Sequence, residues 1–149
     1  MIHPHTYIHP NAKLATNVKV DPYTVIHQNV EIGEGTWIGS NVTIMEGARI
    51  GKNCRIFPGA VISAIPQDLK FEGEDSLVEI GDHTTIREFV TINRGTKDKG
   101  KTKVGDHCLI MAYSHLAHDC VIGNHCILVN NTALAGHVWV DDWAILSGY

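Results

Sequence analysis

Within five residues, His115-Leu116-Ala117-His118-Asp119 brings two imidazoles and a carboxylate together, with Cys120 next, in a chain that is otherwise a plain aliphatic repeat. An imidazole with an unperturbed pKa near ~6.5 accepts a proton at neutral pH. A carboxylate directly after it can orient or stabilise the ring, so the cluster reads as a general-base centre.

The other histidines need weighing first, since the chain has 10. His5, His83, His107, His125 and His137 all stand three residues after a repeating aliphatic, where Asn and Gly recur. These types tolerate the left-handed backbone region, so a turn role is the simpler reading for His5, His83, His107 and His125. His115 and His118 do not stand there. Cys54, Cys108, Cys120 and Cys126 each stand four residues after an aliphatic, a small inward position, and read as core filler.

The elements that must hold the cluster follow from a period of six. Every sixth residue from Ile2 is aliphatic without a break to Ile62, and of 25 such positions along the chain 22 are aliphatic. The exceptions are Asp68, Glu74 and Asp98. A second inward position four residues on and a turn residue three on make each hexad a short strand with a corner. Such units cannot bury a face alone, and stacking them creates a continuous core, which is the logic of a parallel β-helix. Residues 18 apart would then lie one above another, about 4.7–4.9 Å away. This ruler sets Gly136 over His118 and His137 over Asp119, with the Gly136 N–H close enough to serve an oxyanion. It also places Gly100 under His118, provided that no insertion resets the coil count.

Two stretches break the pattern and are expected as external loops. Residues 66–77 put polar side chains at register positions, and residues 97–103 carry Lys97, Lys99, Lys101 and Lys103 in a chain of net charge -4. Loops on rigid scaffolds often carry binding residues, and a basic loop can draw an anionic substrate or carrier. A solvated loop is the plainer reading of each.

Hydrophobic residues at 44% and charged residues at 19% describe one soluble domain over residues 1–149, with no basic field for nucleic acid. No apolar run approaches the roughly 18 residues of a membrane span, and residues 1–5 carry no secretion signal. A cytoplasmic protein with reduced thiols is the expectation.

Hexads such as Ile50-Gly51-Lys52-Asn53-Cys54 resemble those of the hexapeptide acyltransferases. Longer motifs narrow this. Gln67-Asp68-Leu69-Lys70 with Gly73-Glu74, Ile86-Arg87-Glu88 through Arg94-Gly95-Thr96, His115 to Cys120, and Ala135-Gly136-His137-Val138 are similar to the UDP-N-acetylglucosamine O-acyltransferases. The resemblance implies an all-β fold, a left-handed parallel β-helix of triangular section. It also implies transfer of a 3-hydroxyacyl group from acyl carrier protein to the 3-hydroxyl of UDP-N-acetylglucosamine in lipid A synthesis, without a metal or other cofactor. By the same match His118 would be the base, Asp119 its support and Gly136 the oxyanion donor, while Gln67, Asp68, Lys70, His115 and His137 would line the substrate site. Homotrimers with sites between subunits are implied too. Members of the family continue past the coil at which this chain stops into a helical domain, so a fragment or a shortened relative is expected.

Two other functions fit parts of the pattern. His115, His118 and His137 could supply the three imidazoles of a zinc-dependent carbonic anhydrase on the same fold, although the Gln67 to Lys70 loop has no place in one. A trimeric β-helix could also bind the nucleotide sugar without turning it over.

Overall fold

The computed structural model describes residues 1–149. Twenty-one short strands and no helix follow one another along the chain. They sort into three parallel sheets of seven strands, each strand neighbouring those one coil before and after it. One sheet, for example, runs Val61–Ala64, Thr91–Asn93, His115–Leu116, Ala133–Leu134 over its last four members. Three strands complete a coil, and the whole is a left-handed parallel β-helix.

The hexad explains each layer. Its aliphatic residue and the small residue four positions later both point inward, and together they form one continuous core of 29 buried residues from Val18 to Val140. All four cysteines sit in that core as free thiols. Burial raises the Cys54, Cys108 and Cys120 thiols, Cys108 to about 11, which leaves them un-ionised and unreactive. Corner residues take positive φ, as at Asn53 (52°), His107 (54°) and His137 (65°). His5 and Asn11 do not adopt that conformation, and their N–H groups instead donate to Nδ1 of His3 and His9 at 3.1 Å.

At one edge the corners form two ladders. Asp82, Asp106, Asn124 and Asp142 each accept a backbone N–H from the coil beneath at 2.7–2.8 Å. Beside them His83, His107 and His125 stack face to face at 4.9 and 5.0 Å, and Trp143 closes the column at 4.1 Å from His125. This is a structural role for those turn histidines.

The two interruptions are hexad-sized. Unbroken coils pair Val25 with Thr43 and Thr43 with Val61, three hexads apart each time. Val61 instead pairs with Thr91, five hexads on, and Thr91 pairs with His115, four hexads on. The insertions thus add two hexads and one hexad, whole multiples of the repeat, which is why the register of six survives them. Both loops are narrower than the sequence suggests, because Leu77 begins strand Leu77–Ile80 and Lys101 to Lys103 belong to strand Lys101–Val104. The lysines consequently form no single patch. Lys101 pairs with Glu79 at 3.1 Å on a neighbouring face, while Lys97 and Lys99 stay exposed in the loop.

Candidate active site

Strand His115–Leu116 runs into a corner made by Ala117, His118 and Asp119 before strand Val121–Ile122. Leu116 is locked inward, fully buried, and this fixes the rotation of the corner. Asp119 occupies the corner at φ 62°, a conformation that aspartate tolerates better than most residues, and its side chain is fully buried.

A buried carboxylate must be hydrogen-bonded, and this one is. Its Oδ1 accepts the Thr96 N–H at 3.0 Å, and its Oδ2 accepts the Thr96 hydroxyl at 2.6 Å. The Thr102 hydroxyl accepts the Asp119 N–H at 2.9 Å. Burial by itself would raise the carboxyl, but the bonds from Thr96 and His118 outweigh it and hold Asp119 below the usual carboxylate range.

His118 lies with Nδ1 2.9 Å from Asp119 Oδ2. Its other nitrogen, Nε2, is 3.7 Å from Asp68 Oδ2 in the first loop. One coil up, Gly136 stands above the ring, three hexads on from His118 as an unbroken coil requires. A Cβ on Gly136 would fall 2.6 Å from Cε1 and 2.8 Å from Nε2 of His118, so the glycine is what leaves the imidazole its room. The Gly136 N–H donates to no protein acceptor.

His137 also stands in place, its N–H bonded to the His118 carbonyl at 3.1 Å and its ring edge-on to His118 at 5.1 Å. Its Nε2 is 3.7 Å from Asp119 Oδ2, and its Nδ1 is 3.3 Å from Asp98 of the second loop. Glu74 ties the loops together, accepting the N–H groups of Glu72 at 2.8 Å and Lys97 at 3.1 Å. Between them lies a cleft of about 220 Å³ lined by Asp68, Lys70, Glu74, Thr96, Lys97, Asp98 and His137.

The structure therefore gathers His118, Asp119, Gly136, His137, Asp68 and Lys70. It leaves two expected residues outside. Gln67 is exposed on the loop, away from the cleft lining, and His115 turns to Thr91, with Nδ1 2.7 Å from its hydroxyl, while burial lowers its pKa. The Gly100 placement is corrected by the inserted hexad, and Thr96 and Asp98 are the loop residues that reach the site. Neither is marked in the sequence as a partner of the histidines. Thr96 sits in the Arg94-Gly95-Thr96 motif and Asp98 at a register position, which were the available signals. The three-histidine zinc set also fails to converge, since the groups whose ligand atoms come within 4.8 Å of one another are His118, Asp119 and His137.

The largest concavity, about 620 Å³, lies on a different face along Gly33, Gly51, Gly81 and Gly105. Its flanking charges are already satisfied in part by one another, as in Lys13 with Glu31 at 3.3 Å. It holds no histidine, and the smaller cleft is the better candidate for chemistry.

Comparison with known proteins agrees with this fold. The family described as Bacterial transferase hexapeptide (six repeats) matches residues 29–64 and 101–136. The chain is 64% identical to a UDP-N-acetylglucosamine O-acyltransferase of Ectopseudomonas mendocina over 149 residues, covering 99% of this chain and 58% of that protein. A Pseudomonas aeruginosa protein of the same name is 63% identical over 150 residues, again with 58% of its length covered. The chain carries the repeats of the bacterial hexapeptide transferases and is similar over its whole length to UDP-N-acetylglucosamine O-acyltransferases. The solved acyltransferase structure from Bacteroides fragilis superposes with a TM-score of 0.98 at 55% identity, over 99% of this chain and 58% of that one. The Francisella novicida acyltransferase gives 0.97 at 49%, over 99% and 54%. The chain thus spans about 58% of the length of the relatives it matches.

Proposed function

We propose that this chain carries the acyl-transfer centre of these acyltransferases, moving a 3-hydroxyacyl group from the thioester of acyl carrier protein to the 3-hydroxyl of UDP-N-acetylglucosamine. This is the first step of lipid A synthesis. The observation that supports it best is His118 held through Nδ1 by a buried, ionised Asp119, with Nε2 left toward the cleft.

An ionised Asp119 accepts only, so it selects the tautomer with the proton on Nδ1 and leaves the Nε2 lone pair free. Nε2 takes the proton of the sugar hydroxyl as its oxygen attacks the thioester carbonyl. The Gly136 N–H donates to the oxyanion that forms. Collapse breaks the carbon–sulfur bond, and the imidazolium returns its proton to the leaving thiolate. Asp68, facing Nε2 across 3.7 Å, receives a sugar hydroxyl, and Lys70 and His137, which line the same cleft, hold the rest of the substrates. No metal or other cofactor enters these steps. No helix in the structure is long and apolar enough to cross a membrane. In this reading the protein works in the cytoplasm as a homotrimer, with neither nucleic acid nor membrane insertion involved, and exposed Lys97 and Lys99 face the acidic carrier protein.

Thioester release from acyl carrier protein tests the proposal. Release that depends on UDP-N-acetylglucosamine is the expected result. Binding of the nucleotide sugar without release would instead support a purely binding role.

A further inference from the structure

The convergence of His118, Asp119 and His137 offers a second chemistry to the same atoms. Asp119 Oδ2 lies 2.9 Å from His118 Nδ1 and 3.7 Å from His137 Nε2, and one ligand atom from each of the three residues falls within 4.8 Å of the other two. Ligands about 2.0–2.2 Å from a tetrahedral zinc ion stand about 3.3–3.6 Å apart, close to these separations. The rings meet edge-on at 85°, so their in-plane lone pairs can turn toward one point.

The outer partners are also of the kind that orient metal ligands. Asp98 sits on the far nitrogen of His137, Nδ1, at 3.3 Å, which aims Nε2 inward, and Thr96 pins the Asp119 carboxylate. The stacked ladder of His83, His107 and His125 is unlike this, because its rings are parallel within 2–4° and their lone pairs run side by side.

We infer that His118 Nδ1, Asp119 Oδ2 and His137 Nε2 form an inhibitory zinc site that excludes catalysis. The inhibition rests on the reading of His118 as the base. As a base the imidazole carries its proton on Nδ1 and offers Nε2 to the sugar. As a zinc ligand it gives its Nδ1 lone pair to the metal, the proton moves to Nε2, and no acceptor remains for the hydroxyl. Zinc binding and proton abstraction use opposite tautomers.

The test titrates zinc into chelator-treated protein against a chromophoric competitor, and follows thioester release in parallel. One zinc per chain is expected, with affinity reduced tenfold to a hundredfold in Asp98→Asn. His137→Asn, which keeps a residue suited to the left-handed corner, loses the site. Turnover falls in proportion to zinc bound and returns with chelator. No stoichiometric zinc, or undiminished zinc binding in His137→Asn, overturns the metal site whatever the turnover. Full turnover with zinc bound overturns the inhibition. Absence of turnover in chelated wild-type protein counts against acyl transfer and leaves the zinc titration standing by itself.

Discussion

Gly136 and Thr96 define the centre as much as the histidine between them. Replacing Gly136 with Ala would set a methyl group 2.6–2.8 Å from the His118 ring, and the ring must give way. Since a displacement of about 1 Å can cost about a hundredfold in rate, Gly136→Ala is expected to lose activity on that order while unfolding at nearly the wild-type temperature. Thr96→Val removes the 2.6 Å bond to a fully buried carboxylate, and a hydrogen bond to a charged group is worth about 1.5–3 kcal/mol. The pH dependence has a definite sign. The Asp119 carboxyl is lowered in the folded state, so its contribution is fully present above the ordinary carboxylate pKa near ~3.9 and is lost as pH falls through the folded value. Denaturant melts should therefore show a larger Thr96→Val deficit at pH 7 than in strong acid. At this scale the sequence marks His118 by its departure from the turn position, and Asp119 as the carboxylate that follows it directly. It does not mark Thr96 or Asp98 as partners, because loop contacts have no period to betray them.

The hexad is the element that makes the fold readable. Strand, inward small residue and corner repeat with one spacing, and insertions of two hexads and one hexad leave the register intact. The same insertions hide the coil count. A spacing of three hexads per coil is accordingly right from His118 to Gly136, where the chain is unbroken, and wrong from Gly100 to His118. Corners carry their own test. His107 holds φ 54° within the imidazole column, so His107→Asn should be tolerated, whereas His107→Val forces a β-branched residue into that region at about 1–2 kcal/mol. Thermal melts of the two variants separate a corner role from a chemical one, and equal losses would contradict it.

Across the whole molecule, the prism supplies rigidity and the two loops supply polarity. Ladders of backbone, Asp/Asn and imidazole groups fix the coils vertically, while Glu74 clamps one loop to the other over the histidines. Both loops reach the site from the two lengthened coils, so a cleft arises where no single hexad could build one. The claim that depends on all of this is that His118 deprotonates the acceptor. Its most direct test is zinc-free thioester release by His118→Ala beside wild type, both at saturating UDP-N-acetylglucosamine. Loss of a general base predicts a rate lower by about 10²–10⁴ with the nucleotide sugar still bound. A variant that turns over at the wild-type rate would contradict the account.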